Sequence, residues 1–131
     1  MNRISRTLSA VAALGLALVA VVPVSGQTAY TVNDVDANLY RIDLQSGVVA
    51  AVGPTGFGDV EALAFDPLSG RLYAIEDDLE VLLTCDPQSG ACSVVGSLGS
   101  DLYVSGAGLA FSCSGRLFMV DENSGSWYEI N

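Results

Sequence analysis

A phrase that occurs twice in the chain is the feature that most constrains its fold. The segment ALAFDPLSGRLYAIED spans residues 62–77, and GLAFSCSGRLFMVDEN repeats its pattern at residues 108–123. A shorter copy lies upstream, because residues 29–34 align with residues 72–77 and 117–122. The spacing is 43 residues from the first copy to the second and 45 from the second to the third. A regular period of this length predicts a tandem-repeat architecture.

Each copy reads as a set of short β-strands. In the middle copy, strand A is predicted at 61–65, strand B at 71–76, strand C at 81–85 and strand D at 92–96. The links between them are rich in Asp, Pro and Gly, the residues that form tight turns. Alternating apolar strands with regular turns predict antiparallel β-structure, and a repeated four-stranded unit is typical of a β-propeller blade. A β-sandwich would not explain the internal identity, and a β-solenoid repeat is usually shorter.

The repeats also resemble a known group of proteins. The segments NLYRIDLQSG, ALAFDPLSGRLYAIED and GLAFSCSGRLF are similar to repeats of secreted bacterial β-propeller proteins of the YVTN/NHL/WD40-like superfamily, many of them uncharacterised. The resemblance covers Tyr30 to Asn131 and implies the fold, but it implies no particular activity. The Gly-His and Trp-Asp marks of WD40 repeats are missing from the copies.

The chain carries about two and a half blades. Residues 29–53 supply strands B, C and D of one blade, residues 59–96 a complete blade, and residues 106–131 strands A, B and C of a third. Closed propellers have about 4–8 blades. We therefore expect either a fragment of a longer protein, which is the favoured interpretation, or a ring that several chains assemble.

The N-terminus is predicted to be a secretory signal peptide over residues 1–26. Arg3 and Arg6 precede an apolar stretch that ends at Pro23 and small residues, which is the layout of a cleavable leader. The predicted mature domain, residues 27–131, is then secreted or periplasmic and has no membrane span after cleavage. The alternative, a retained membrane anchor, is disfavoured by the shortness of the apolar stretch.

The predicted mature domain is strongly acidic. It contains all 15 acidic residues but only Arg41, Arg71 and Arg116 as basic residues, for a formal charge of about −12. Such a charge repels nucleic acid and anionic membranes, so neither is expected as a partner. Abundant apolar residues in regular patterns favour a folded domain over a disordered one.

The cysteines are predicted to have a structural role. Cys85 and Cys92 flank the turn between strands C and D, where close cross-strand residues suit a disulfide in an exported protein. Cys113 then has no cysteine to pair with, which suggests a disulfide partner in a missing part of the protein or in another subunit. A reactive thiol is less favoured, because no His or Lys is present to stabilise a thiolate.

The recurring aromatic residues are predicted to pack between blades rather than to bind a ligand. Tyr30, Tyr73 and Phe118 recur in strand B, and Trp127 aligns with the core positions Leu39 and Leu82. Tyr40 and Tyr128 recur in strand C.

The distribution of acidic residues is the one pattern that could indicate a site. The B–C turns and D–A links should share one face of a propeller, which would then collect most of the carboxylates. Candidate Ca²⁺ ligands on that face are Asp34, Asp36, Asp77, Asp78 and Asp121. The competing interpretation, which is favoured, is that acidic turns keep the domain soluble. No other cofactor is predicted.

The sequence favours a non-catalytic, secreted binding module for a protein or small ligand. The chain contains no His, which excludes a Ser-His-Asp triad within this segment. The alternatives are part of a propeller enzyme, such as a lactonase-like hydrolase or a quinoprotein-type dehydrogenase with residues in further blades, and a structural envelope component that self-assembles. Fold alone does not choose among them.

Overall fold

The structure is a computed structural model that describes residues 26–99, 104 and 106–131. Except for Gly26, the predicted signal peptide lies outside this part of the chain. The ten β-strands are β1 (Thr28–Asn33), β2 (Asn38–Asp43), β3 (Val49–Pro54), β4 (Val60–Phe65), β5 (Leu72–Glu76), β6 (Val81–Cys85), β7 (Cys92–Ser97), β8 (Ala107–Phe111), β9 (Leu117–Asp121) and β10 (Trp127–Ile130). A search of these residues for a helix long and apolar enough to cross a membrane found none.

The strands form three antiparallel sheets. The first sheet has the order β1-β2-β3, the second β4-β5-β6-β7 and the third β8-β9-β10. The second sheet is therefore a four-stranded A–D unit, the first has strands B, C and D, and the third has strands A, B and C. The predicted all-β architecture of about two and a half propeller blades is confirmed.

The first two sheets share an irregularity in the pairing of strands C and D. The register shifts between Leu39 and Tyr40 in the first sheet and between Leu82 and Leu83 in the second. These positions are equivalent in the repeat, and in each case one valine of strand D, Val52 or Val95, is left without a partner. A bulge of this kind bends the strand and increases its twist.

A repeated Asp-x-x-Ser-Gly turn closes most of the hairpins. In the first of these turns, Oδ1 of Asp43 accepts hydrogen bonds from the amides of Gln45 and Ser46, 2.8 and 3.0 Å away. The glycine then adopts a left-handed conformation, with φ of 71° at Gly47 and 83° at Gly90. Asp66 and Asp86 likewise accept hydrogen bonds within their own turns, from the amides of Leu68 and Gln88. The same pattern recurs at residues 121–125, in the B–C turn of the third sheet.

The core lies between the sheets. Each sheet has a forward face, directed toward the next sheet in the chain, and a rear face, directed toward the preceding one. Leu39 on the forward face of the first sheet shares a buried cluster with Leu72 and Leu83 on the rear face of the second. Ile75 on the forward face of the second sheet shares another with Met119 on the rear face of the third. Because successive side chains point to opposite faces, strands β5 and β6 of the second sheet bury residues on both sides and read as nearly continuous apolar runs.

Aromatic pairs join successive sheets, as the sequence predicts for Tyr30 and Tyr73. The Tyr30 ring stacks on Phe65 of the second sheet with ring centroids 6.3 Å apart. The Tyr73 ring makes a T-shaped contact with Phe111 of the third sheet, with ring centroids 5.4 Å apart. Phe118 instead contacts Trp127 within its own sheet, at 6.0 Å.

The prediction that Trp127 packs in the core is wrong. Its side chain is 70% exposed, whereas the equivalent residues Leu39 and Leu82 are 0% and 7% exposed. Those leucines are covered by the next sheet along the chain. Within the described part of the chain, no further sheet covers Trp127 in the same way.

The predicted disulfide between Cys85 and Cys92 is confirmed. The two residues are direct cross-strand partners of β6 and β7, and their Cα atoms lie 4.0 Å apart. Cys85 is buried in the cluster between the first and second sheets. Cys113 is a free, exposed cysteine in the turn between β8 and β9.

Candidate acidic site

The turns between strands B and C lie at the same end of their sheets as the links that enter strand A. In the second sheet, the amide of Asp77 donates a hydrogen bond to the carbonyl of Asp59. In the third sheet, the amide of Glu122 donates to the carbonyl of Gly106 in the equivalent arrangement. These bonds hold a turn and a link side by side, and we call the surface that they form the acidic face. Its carboxylates among the described residues are Asp34, Asp36, Asp59, Glu61, Glu76, Asp77, Asp78, Glu80, Asp121 and Glu122.

Two of the predicted Ca²⁺ ligands already have partners within their own B–C hairpins. The Asp36 carboxylate accepts a hydrogen bond from the Tyr40 hydroxyl at 2.5 Å and one from the Asn38 amide at 3.1 Å. The Asp121 carboxylate accepts from the Ser124 hydroxyl at 2.6 Å and from the amides of Asn123 and Ser124. The hydroxyl bond is the main reason that the pKa of each carboxyl is lowered.

Asp121 takes the place that Glu76 and Asn33 have in the other sheets. Glu76 is buried, and its Oε2 accepts a hydrogen bond from the Leu79 amide at 2.7 Å. Asn33 accepts one from the Val35 amide at 2.9 Å. An acceptor at the end of strand B therefore organises the B–C turn in all three sheets.

One of the predicted ligands, Asp77, lies in a cluster of three carboxylates. Asp59, Glu61 and Asp77 each place an oxygen within 4.8 Å of the other two. Asp59 and Glu61 come from the link into strand A and the start of that strand, and Asp77 comes from the B–C turn. The structure brings none of Asp34, Asp36, Asp78 and Asp121 into a three-carboxylate cluster of this kind within the described part of the chain.

Asp77 has an unusual environment within the cluster. Its Oδ1 is buried and has no hydrogen-bond partner among the described residues. The pKa of Asp77 is raised to about 6, first by burial and then by the negative charges of Asp59 and Glu61. A hydrogen bond that the neutral Asp77 carboxyl can donate to Asp59 contributes to the same increase. The cluster therefore brings three carboxyl groups together, one of which has a buried oxygen without a hydrogen-bond partner among the described residues.

Exposed apolar side chains accompany the carboxylates at the tips of two B–C turns. Val35 is 89% exposed and Leu79 is 60% exposed. Ala37 and Glu80, at equivalent positions in these turns, adopt left-handed conformations with φ of 52° and 54°. The two turns therefore share one backbone shape, and each presents an apolar tip beside negative charges.

Comparisons with known proteins define the fold and not the activity. No protein-family model matches the sequence, and no curated protein matches it. A structural genomics protein of unknown function from Bacteroides thetaiotaomicron is similar with a TM-score of 0.59 at 16% identity, over 78% of this chain and 30% of that chain. A chain of the nidogen/laminin complex is similar with a TM-score of 0.56 at 11% identity, over 80% of this chain and 44% of that chain.

These structural neighbours are β-propeller-type proteins, which agrees with the three sheets of this chain. The chain spans less than half the length of either structure. Its assignment to a YVTN, NHL or WD40-like branch stays a prediction.

Proposed function

We propose that this chain is a secreted, non-catalytic propeller-repeat module that binds a positively charged protein or peptide ligand on its acidic face. The observation that carries the proposal is the exposure of Val35 and Leu79 among carboxylates on one face. Apolar groups that bury their surface on binding supply affinity, and surrounding charges supply steering and selectivity for a cationic partner. The structural neighbour in complex with laminin is consistent with a fold that serves protein binding.

A defined probe tests this proposal. We expect a fluorescent peptide of alternating Lys and Leu to bind the protein, and a matched Glu-Leu peptide not to bind. The affinity for the Lys-Leu peptide should fall as salt is raised, because exposed charges are screened. Fluorescence anisotropy at low and high salt measures both effects.

Paired substitutions locate the binding surface. Replacement of both Val35 and Leu79 by Ser should weaken binding of the Lys-Leu peptide about tenfold, since two buried apolar contacts are lost. The control is Leu44→Ser, because Leu44 is 55% exposed in a C–D turn on the opposite end of its sheet. Equal binding of the two peptides, or equal weakening by the control, would contradict the proposal.

A second role is proposed for the cluster of Asp59, Glu61 and Asp77, namely Ca²⁺ binding. It is supported by the buried, unpartnered Oδ1 of Asp77 and by the three convergent carboxylates. Ca²⁺ takes about 6–8 oxygen ligands, so water or ligand oxygens would complete the shell. A bound cation would stabilise the charged form of Asp77 that burial disfavours.

The pH dependence of stability tests the state of Asp77. Its pKa of about 6 in the folded protein exceeds the value of about 3.9 in an unfolded chain. The folded state therefore holds more protons between these values, and its stability falls as pH rises from about 4 through about 6. Without Ca²⁺, Asp77→Asn should flatten this decline and raise Tm at pH 7 by a few degrees.

Calcium should make the wild type more stable than Asp77→Asn at pH 7, the opposite of the order expected without Ca²⁺. Saturating Ca²⁺ at about 100 times its Kd adds about 2.7 kcal/mol of stability to a protein that binds it only when folded. We expect the wild type to gain this stability at pH 7 and Asp77→Asn to lose most of the response. The control, Asp34→Asn, changes the equivalent position of the first sheet and should respond as the wild type does. Absence of any shift in Tm at millimolar Ca²⁺ would rule out the calcium site.

The proposed location outside the cytoplasm is supported by the disulfide and by the predicted leader, because disulfides persist in oxidising compartments. A calcium requirement would also give weight to the alternative that the chain is part of a propeller enzyme.

A further inference from the structure

A pair of polar residues recurs in the three sheets at the end opposite the acidic face. One member lies two positions before the aromatic residue of strand B, and the other is the strand C residue directly opposite that aromatic. The pairs are Thr28 with Arg41, Arg71 with Thr84, and Arg116 with Glu129. Each pair contains one arginine, but only the third contains a carboxylate.

The third pair shows which chemistry this position supports. Nε of Arg116 donates a hydrogen bond to Oε1 of Glu129 at 2.5 Å, and Nη2 donates to Oε2. Two parallel bonds to one carboxylate use the planar fork of the guanidinium group. The same bonding lowers the pKa of Glu129, so its carboxylate is held in the charged form.

The second sheet has the arginine without the carboxylate. Thr84 takes the place of Glu129, and its hydroxyl donates a hydrogen bond to the carbonyl of Leu72 at 3.4 Å. The exposed guanidinium group of Arg71 has no hydrogen-bond or ion-pair partner among the described residues. Its five N–H donors are therefore free to bind a carboxylate from outside the chain.

Arg71 and Thr84 line a cavity of about 390 Å³. This volume lies in the range of small-molecule sites, which is about 300–1,000 Å³. Gln88 and Ser93 also line the cavity, so that an amide and two hydroxyl groups accompany the guanidinium group. Groups of this kind donate to and accept from hydroxyl groups.

A second arginine lies in an adjoining cavity. Arg41 lines a cavity of about 550 Å³ between the first and second sheets, which shares Gly70, Pro87 and Gln88 with the cavity at Arg71. Arg41 has no ion-pair partner among the described residues. Two guanidinium groups therefore add positive charge to the same end of an otherwise acidic domain.

The carboxylates nearest in sequence to this cavity are engaged in their own turns. Asp86 lines the cavity, but its carboxylate accepts hydrogen bonds from the Gln88 amide at 2.8 Å and the Ser89 hydroxyl at 3.2 Å. Asp66 accepts from the Leu68 amide at 2.9 Å and the Ser69 hydroxyl at 2.5 Å. Neither carboxylate forms an ion pair with Arg71.

We propose that the cavity at Arg71 binds a sugar acid, with the carboxylate of the ligand on the Arg71 guanidinium group. This carboxylate takes the place that the Glu129 carboxylate has beside Arg116. Thr84, Gln88 and Ser93 bind the hydroxyl groups of the ligand. The site lies at the end of the sheets opposite the acidic face and is independent of the binding proposed there.

A matched pair of sugars tests the proposal on the full chain, expressed with export and purified. We expect isothermal titration calorimetry to show binding of glucuronate and no binding of glucose, which has the same ring without the carboxylate. The affinity for glucuronate should fall as salt is raised, because exposed charges are screened.

Matched arginine variants locate the site. Arg71→Gln should weaken glucuronate binding at least about tenfold, because the charge-assisted hydrogen bonds are lost. The control, Arg116→Gln, removes the equivalent arginine of the third sheet. Since Arg116 is already paired with Glu129, this variant should bind glucuronate as the wild type does.

A carboxylate supplied by the protein itself should close the site. Thr84→Glu reproduces the third pair in the second sheet, and we expect it to abolish glucuronate binding. Thr84→Gln adds a side chain of similar size without the charge and should weaken binding clearly less. Equal loss in the two variants would contradict a role for Arg71 in holding the carboxylate.

Three further results would overturn the proposal. They are no glucuronate binding at millimolar concentration, equal binding of glucuronate and glucose, and equal weakening by Arg71→Gln and Arg116→Gln. Displacement of glucuronate by an equal concentration of inorganic sulfate would also contradict it, because the hydroxyl contacts would then add no selectivity. Far-UV circular dichroism of each variant separates loss of binding from loss of the fold.

Discussion

Gly90→Ala is expected to destabilise the protein by about 2–4 kcal/mol, a large part of the stability of a domain of this size. Gly90 has φ of 83°, and a Cβ atom built on it would lie 2.4 Å from the carbonyl oxygen of Gly53 in the first sheet. That oxygen belongs to the backbone and cannot rotate away. The methyl group would therefore have to push the first and second sheets apart.

A matched glycine separates this clash from the cost of the left-handed conformation. Gly47 occupies the same position of the same turn in the first sheet, with φ of 71° and no other atom within 4 Å of its hypothetical Cβ. Gly47→Ala should cost only about 1 kcal/mol. Urea unfolding followed by far-UV circular dichroism measures both values. Equal costs for the two variants would mean that the sheets do not approach closely at Gly53 and Gly90.

The fold could be predicted largely because its signals are local and repeated. Alternating apolar residues identify each strand, and the Asp-x-x-Ser-Gly pattern identifies the hairpins, since the carboxylate, the hydroxyl and the glycine each satisfy a requirement of the turn. The disulfide followed from the same register, because residues that flank a short hairpin turn face each other across it. Each of these inferences depends on residues close together in sequence.

Features that depend on relations between strands could not be predicted. No residue type marks Val52 and Val95 as bulged, because a bulge is defined by the partner strand. Trp127 aligns with buried leucines, yet its exposure depends on whether another sheet covers the third sheet and not on its own strand.

The acidic cluster, too, depends on which strands lie side by side, and so the sequence predicted only part of it. Asp77 was a predicted ligand, but Asp59 and Glu61 were not, since they belong to a different strand and link. Asp36 and Asp121 were also predicted ligands, but hydroxyl groups of their own hairpins already donate hydrogen bonds to both carboxylates. The Asp-x-x-Ser-Gly pattern at residues 121–125 was the signal that could have set Asp121 apart.

Leu83→Ala should cost about 2–5 kcal/mol, because it removes a fully buried side chain and leaves a cavity between two sheets. Leu83 is 0% exposed and shares its cluster with Leu39 of the first sheet and with Leu72 and Ala74 of its own. Few residues of this domain are buried as completely, so the loss is not spread over a large core. We expect the variant to unfold at clearly lower urea concentration with an unchanged m-value.

Val94→Ala is the control for this prediction. Val94 is the direct cross-strand partner of Leu83, but it is 53% exposed on the outer strand of the second sheet. Truncation there should cost less than about 1 kcal/mol, because little apolar surface leaves the core. If the two variants were equally stable, Leu83 would not be packed between the sheets. The first sheet would then add little to the stability of the second, contrary to the shared cluster that joins them.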